Sequence, residues 1–130
     1  MQSIAVSLSL AALAFCVAAV LPVGAAAQAG DPAAGERAFR QCAACHTVEP
    51  GRNRVGPSLY GVVGRSAGSV ERFRYSRAMQ EADIVWDEQT LAAYLANPRE
   101  YLPGTSKTFR LRNPDDAPDL IAYLRSLHDD

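Results

Sequence analysis

The stretch QCAACHT, residues 41–47, sets two cysteines and a histidine within five consecutive positions. Cys42 and Cys45 are separated by two residues, and His46 follows at once. Three kinds of site use such a pair of thiols: a disulfide or redox-active dithiol, a structural zinc site, and a covalent attachment point for haem. Each kind needs a different surrounding chain, so the flanking sequence decides among them.

The flanking sequence argues against the first two kinds of site. A zinc site needs two further ligands, and the one other histidine is His128, near the end of the chain. A thioredoxin-like dithiol follows a β-strand, whereas DPAAGERAFRQC has helical spacing, with Asp31 as a cap and Pro32 in the first turn. The pattern Cys-x-x-Cys-His therefore favours haem c, bound covalently through Cys42 and Cys45, with His46 as an axial ligand of the iron.

Residues 1–29 differ in composition from the rest of the chain. They hold no charged side chain, and residues 4–20 form an apolar run. Ala27, Gln28 and Ala29 supply a small-x-small cleavage pattern, so we predict a signal peptide over residues 1–29 and a single domain over residues 30–130. The alternative is an uncleaved anchor, because the segment lacks Lys and Arg and is long enough, at about 20 apolar residues, to span a bilayer. Export predicts a periplasmic protein.

The sequence after residue 29 indicates short helices joined by loops. Beyond the helix that precedes Cys42, helices are predicted from Asp87 to the residue before Pro98 and from about Pro114 to Leu127. Residues 56–68 hold four glycines and a proline and predict an irregular loop. No strand pattern is present, so the predicted fold class is all-α. A chain of this size builds a small core, which a covalently held haem would complete.

Most of the domain is covered by five stretches: GERAFRQCAACHTVEP, VGPSLYGVVGR, FRYSRAM, IVWDEQTLAAYLANPREYLPGTSKTF and DLIAYLRSL. Together they resemble the class I c-type cytochromes, in the bacterial branch close to mitochondrial cytochrome c. The resemblance implies the small cytochrome c fold, in which short helices and loops wrap one covalent haem. It also implies that the first helix crosses the last one. The residues at that crossing would be Gly35, Phe39, Tyr123 and Leu124.

The resemblance also implies roles for residues around the haem. The carbonyl of Pro57 would accept a hydrogen bond from the second ring nitrogen of His46, which fixes the ring and raises the basicity of this ligand. The remaining implied pocket residues are Arg65, Tyr75 and Trp86 around the propionates, and Tyr94 and Thr105 on the side opposite His46.

One position departs from the resemblance. The family places its axial methionine in Pro-Gly-Thr-x-Met, and here Lys107 stands at that position in PGTSK. Apart from Met1, the chain holds one methionine, Met79, which we interpret as pocket packing near the propionates. We therefore predict that the iron is bound by His46 and by the neutral amine of Lys107. The alternatives are water, hydroxide, an open site or His128, with the Lys107 ammonium in solvent.

This ligand pair predicts a one-electron carrier with a lowered reduction potential. An amine is a harder donor than a thioether and favours ferric iron. The alternative is a haem peroxidase or a protein that binds nitric oxide or carbon monoxide at a labile or open sixth site. No histidine or carboxylate neighbours Lys107 in the sequence as an acid or base, and Arg110 is the nearest candidate. We therefore expect that the protein is not an enzyme, and that it gains peroxidase activity only when Lys107 detaches from the iron.

The charge distribution bears on the partners. Residues 37–112 hold 12 basic and 7 acidic side chains, whereas residues 113–130 hold 1 basic and 5 acidic ones. The resemblance implies that the last helix lies behind the haem, and the positive side would then lie near the haem edge. We expect redox proteins with an acidic docking face, such as membrane oxidoreductase complexes. Nucleic acid is not expected, because basic and acidic residues are mixed and the protein is exported. We expect a monomer.

Overall fold

A computed structural model describes residues 29–128 of the chain. The predicted signal peptide falls outside these residues except for Ala29. The helices are α1 (Pro32–Phe39), α2 (Arg77–Gln80), α3 (Glu88–Ala96), α4 (Pro98–Tyr101) and α5 (Ala117–Arg125), with a 3₁₀ turn at Pro114–Asp116. Over the described range no strand forms, and Ser66 and Val85 make an isolated bridge. None of these helices is both long and apolar enough to cross a membrane. The all-α fold class is confirmed.

Local capping explains where α1 and α3 begin. The Asp31 carboxylate accepts a hydrogen bond from the backbone N–H of Ala33 at 2.9 Å, and Pro32 occupies the first helical position. Asp87 and Thr90 cap α3 reciprocally, each side chain bonding the other residue's N–H at 2.8 Å. Both predicted starts are confirmed.

The last helix differs slightly from its prediction. The side chain of Asn113 caps a single 3₁₀ turn, and regular α-helix begins only at Ala117. The apolar residues of α5 then recur at helical spacing and face the core, with Leu120 only 1% exposed. Ile121 and Leu124 are buried beside it.

The crossing of α1 and α5 forms one side of the core. The rings of Phe39 and Tyr123 lie 5.7 Å apart between centroids. Gly35 lets the two helices approach closely, because a Cβ added there would lie 2.7 Å from Tyr123 Cβ and would overlap the backbone carbonyl of Asp119. The contact that the resemblance implied between the first and last helices is therefore present.

We expect Gly35→Ala to lower the free energy of unfolding by about 2–3 kcal/mol, which is the upper part of the range for overpacked sites. The cost is high because the added methyl group would meet the backbone of Asp119, which cannot move aside as a side chain can. Alanine's gain in helix propensity, about 1 kcal/mol, offsets only part of this loss. Glu36→Ala, at the exposed neighbouring position, is the control and should change the stability by less than about 0.5 kcal/mol. Urea unfolding of the haem-loaded protein measures both values, and equal midpoints for the two variants would contradict the close crossing.

The long loop between α1 and α2 is held against the segment before α3. The N–H of Gly64 donates to the Trp86 carbonyl at 2.6 Å, and the N–H of Trp86 donates to the Arg65 carbonyl at 2.9 Å. A further bond joins Ala67 to Ile84 at 2.8 Å. These backbone bonds fix Arg65 and Trp86 side by side at one end of the interior.

Candidate haem-binding site

A cavity of about 390 Å³, partly open to solvent, lies among α1, α3, α5 and the loops. Its volume falls within the range of about 300–1,000 Å³ that is usual for small-molecule and cofactor sites. The structure brings all of the predicted site residues to its wall: Cys42, Cys45, His46, Pro57, Arg65, Tyr75, Trp86, Tyr94, Thr105 and Lys107. A separate surface depression of about 660 Å³ beside α1 holds Arg37, Arg112 and Asp116 but none of the thiols or histidines, and we do not assign the site to it.

A tight turn after α1 presents the two thiols. The N–H of Cys42 donates to the Phe39 carbonyl at 2.7 Å, and the Cys42 carbonyl accepts from the N–H groups of Cys45 and His46 at 3.1 and 3.0 Å. Cys42 and Cys45 are not joined to each other by a disulfide. Burial raises the pKa of the Cys42 thiol. One turn of chain thus places both thiols and the imidazole at the wall of the same cavity.

The ring of His46 is held in one orientation. Its Nδ1–H donates to the carbonyl of Pro57 at 2.8 Å, and because a carbonyl only accepts, Nδ1 carries the proton. Nε2 then keeps its lone pair. Burial lowers the pKa of His46 although the bond to Pro57 raises it, so the neutral imidazole is favoured. Gly56 makes room for the ring, because a Cβ there would lie 2.6 Å from Nδ1.

At another part of the wall, Arg65 is a half-buried cation without an acidic partner. Its guanidinium donates to the carbonyls of Tyr60 at 2.8 Å and Ser58 at 3.0 Å, and it makes no ion pair with any carboxylate of residues 29–128. Burial lowers the pKa of Arg65, but an arginine remains charged at neutral pH. Tyr75 and the buried Trp86 line the same end of the cavity. This arrangement fits an anionic group such as a propionate.

Tyr94 and Thr105 form a buried polar pair in the wall. Their hydroxyl oxygens lie 2.9 Å apart, and Thr105 Oγ1 also accepts from the backbone N–H of Lys107 at 3.4 Å. Burial raises the pKa of Tyr94, which keeps its phenol protonated at neutral pH. The pair fixes the start of the loop that carries Lys107.

Lys107 is half-buried at the cavity wall. Its Nζ lies 5.4 Å from the centroid of the Phe109 ring, a cation–π distance. Burial lowers the pKa of Lys107, and the nearby Cys42 and Cys45 thiols partly counter this effect. Cysteines that are bonded to haem as thioethers carry no charge, so the two thiols would no longer raise the pKa of Lys107 in the haem-loaded protein. The amine therefore lies near the two thiols, in surroundings that favour its neutral form.

The structure also shows where the remaining candidate residues lie relative to the cavity. Met79 is buried and lines the cavity, as expected of a packing residue, whereas His128 is exposed and Arg110 lies outside the lining. Sequence reasoning missed Phe109 and Gly56. Gly56 could have been found, because a glycine directly before Pro57 indicates that another group packs closely against the backbone there.

The donor set and the cavity fit a covalently attached haem. Two cysteines that form no disulfide and an oriented neutral imidazole lie within five residues. The cavity is lined mostly by apolar and aromatic side chains, and the half-buried Arg65 at its wall makes no ion pair with a carboxylate of the described residues. Within residues 29–128 no group of three or more His, Cys, Asp or Glu side chains could hold a bare metal ion.

Comparison with known proteins places the chain in a family. Residues 32–128 match the family model described as Cytochrome c. Cytochrome c2 of Rhodomicrobium vannielii is 48% identical over 102 residues, covering 77% of this chain and 82% of that protein. Cytochrome c2 iso-2 of Magnetospirillum fulvum is 50% identical over 91 residues, covering 69% and 95%.

A solved structure agrees with these relatives. Cytochrome cH from Methylobacterium extorquens is 42% identical and superposes with a TM-score of 0.70, covering 75% of this chain and 99% of that chain. The chain therefore belongs to the cytochrome c family as a class I c-type cytochrome, an electron carrier rather than an enzyme, with haem c and its iron attached covalently.

Proposed function

We propose that the protein is a periplasmic one-electron carrier whose iron is bound by His46 and by the amine of Lys107, with a lower reduction potential than a methionine-ligated relative. One observation carries the proposal: Lys107 lines the same cavity as Cys42, Cys45 and His46. When bound, the haem supplies the centre that accepts and releases the electron.

The protein groups hold that centre and set its properties. Cys42 and Cys45 would be its thioether anchors, and Pro57 holds the His46 ring so that Nε2 can bind iron. Arg65 would neutralise part of the propionate charge. The buried Trp86 and Tyr94 exclude water from the pocket, which strengthens these electrostatic interactions.

Lys107 is the donor best placed for the sixth position. The described part of the cavity wall offers no second histidine, and its methionine, Met79, lies on α2 rather than on the loop where the family has its axial ligand. An amine binds a metal only after losing its proton, and the burial of Lys107 favours that loss. As a harder donor than a thioether, the amine stabilises ferric iron.

The cavity supports electron transfer over peroxidase chemistry. Among the described residues of its wall there is no carboxylate, and the only histidine is His46, whose Nδ1 proton is bound to Pro57. Cleavage of peroxide by general acid–base catalysis needs such a group within hydrogen-bonding reach. The wall supplies none.

We propose that the mature domain begins at Gly30, directly after the small-x-small cleavage pattern of residues 27–29. Ala29 is exposed, whereas Gly30 already packs on α5, since a Cβ there would lie 2.6 Å from the backbone nitrogen of Asp119. This contact supports including Gly30 in the domain. Mass spectrometry of the exported protein should give a chain starting at Gly30.

Carbon monoxide binding to the reduced protein tests the proposed function. A carrier with Lys107 on the iron should keep a low-spin spectrum in both oxidation states and bind carbon monoxide slowly and incompletely. Rapid stoichiometric binding by the parent protein would instead support the small-ligand alternative.

We propose that the partners carry an acidic docking face. Apart from Arg52 and Arg77, the exposed arginines between residues 37 and 112 make no ion pair with a carboxylate of the described chain. They are available to an acidic partner.

The rate of electron transfer to an acidic redox protein should therefore fall as ionic strength rises, because salt screens the attraction between the two surfaces. Stopped-flow measurements across a salt series test this, with a basic redox protein as the control, whose rate should rise. Rates with the acidic partner that do not depend on salt would contradict the docking proposal.

A further inference from the structure

One peptide group joins the imidazole of His46 to a side chain of the loop that follows it. The carbonyl of the Pro57–Ser58 peptide accepts the hydrogen bond from His46 Nδ1 at 2.8 Å. The N–H of the same peptide donates to Asn53 Oδ1 at 3.0 Å. A continuous chain of hydrogen bonds therefore runs from the Asn53 amide through a single peptide to the imidazole.

The orientation of the Asn53 amide follows from its two partners. The N–H of Ser58 can only donate, so it faces the amide oxygen. The carbonyl of Glu71 can only accept, so it faces Nδ2, at 3.1 Å. Asn53 is half-buried, and its side chain thus connects the loop after His46 with the loop that leads to α2.

The peptide between Asn53 and the imidazole is held in place on both sides. Ser58 is 3% exposed, its hydroxyl donates to the Glu49 carbonyl at 2.6 Å, and its own carbonyl accepts from Arg65 at 3.0 Å. Before Pro57, the N–H of Gly56 donates to the Cys45 carbonyl at 2.7 Å. Because the peptide cannot turn away, a change of acceptor at its N–H alters the strength of the bond to the imidazole.

Hydrogen bonds that share a peptide group polarise one another. An acceptor at the N–H shifts electron density onto the carbonyl oxygen, which then attracts the Nδ1 proton more strongly and makes Nε2 a better donor to a metal. We propose that Asn53 is a positioning residue that lowers the reduction potential by acting on His46 through the Pro57–Ser58 peptide. The inference rests on the proposed function in requiring His46 on the haem iron, but it does not depend on Lys107.

The other two asparagines of the chain have different surroundings. The side chain of Asn97 bonds to those of Glu100 and Arg110, and the side chain of Asn113 caps the 3₁₀ turn before α5. Neither has a hydrogen bond to the peptide that holds the imidazole. Asn113 is therefore the matched control, because the loss of its cap should destabilise the protein without altering the imidazole.

The test replaces Asn53 in the haem-loaded protein by leucine, which has a similar shape and no acceptor. A less basic imidazole favours ferrous iron, so the equilibrium constant for reduction should rise about two- to fivefold, or about 20–40 mV for a one-electron couple. In NMR spectra of the reduced protein, the His46 Nδ1 proton should move upfield and exchange faster with deuterium. Carbon monoxide is added if the sixth position is open, so that the iron is diamagnetic. Asn113→Leu should show neither change.

A second variant separates this effect from a purely structural role. Asn53→Asp keeps an oxygen opposite the N–H of Ser58 but, like the leucine variant, loses the donor to the Glu71 carbonyl. At neutral pH its charged oxygen polarises the peptide more strongly, so the His46 Nδ1 proton should move downfield. A residue that merely clamps the two loops would shift this proton in the same direction in both variants. The added charge also lowers the potential directly, so this variant is judged by the proton resonance.

Two results would overturn the proposal: a potential and a proton resonance in Asn53→Leu equal to those of the parent, or a proton that moves in the same direction in both variants. If the leucine variant does not fold, an unchanged proton resonance in Asn53→Asp overturns it. Failure of the proposed function is seen separately. A protein without covalent haem lacks the haem absorption, and a His46 that does not bind the iron lacks the large ring-current shifts of an axial imidazole.

Discussion

Lys107→Met is expected to raise the reduction potential by a large part of the roughly 0.8 V over which axial ligands set haem potentials. Methionine restores a soft thioether at the position where Lys107 stands, and a thioether stabilises ferrous iron relative to an amine. The oxidised variant should also show the near-infrared absorption band of a methionine-bound ferric haem. Potentiometric titration followed by absorption measures both effects.

The matched control for this substitution is Arg110→Met, at an exposed position that lies outside the cavity lining. It adds the same side chain without placing it at position 107, so its potential should stay close to that of the parent. A potential in Lys107→Met equal to that of the parent, with no near-infrared band, would show that position 107 does not supply the ligand.

Acid is expected to detach Lys107 from the iron. A coordinated amine is unprotonated, so protons compete with iron for the same lone pair, and the bond weakens as the pH falls. Burial lowers the pKa of Lys107, so the bond should persist at neutral pH and be lost on the acid side. The ferric spectrum should pass from low-spin to high-spin, and peroxidase activity should rise over the same pH range.

Lys107→Met serves as the comparison in this titration, because a thioether takes up no proton there and the same transition should be absent. Circular dichroism recorded in parallel separates ligand loss from unfolding. A parent spectrum that stays low-spin until the helices themselves are lost would contradict a titrating amine ligand.

Local chemistry made much of the fold predictable. Asp31, Pro32 and Asp87 determine the starts of α1 and α3 through bonds to residues two or three positions away, and such bonds leave a direct pattern in the sequence. The attachment segment is equally local, since one turn of chain joins Cys42 to His46. These features needed no knowledge of the tertiary structure.

Features that depend on distant packing could not be derived in this way. Arg65 is held by carbonyls of its own loop and lies beside Trp86, an arrangement that the spacing of charged residues does not reveal. The family resemblance, rather than periodicity, supplied its role. The turn before α5 was similarly misjudged, because Pro114 suits both a 3₁₀ turn and a regular helix.

The ring contacts of Tyr94 with Trp86 and with Tyr101 were not predicted at all. Trp86, Tyr94 and Tyr101 belong to three different segments, and their contacts arise only when α3 and α4 pack together. The direction of the Lys107 side chain is a similar case. Lysine usually extends into water, and only the folded structure shows that its Nζ lies near the Phe109 ring and near the two thiols.

The central claim, that Lys107 binds the iron, is tested most directly by the ferric absorption spectrum of Lys107→Ala at neutral pH. Alanine removes the amine and offers no other donor, so the account predicts a high-spin spectrum in the variant and a low-spin spectrum in the parent under the same conditions. Identical low-spin spectra for the two proteins would contradict it, because another group would then occupy the sixth position and Lys107 would never have been a ligand.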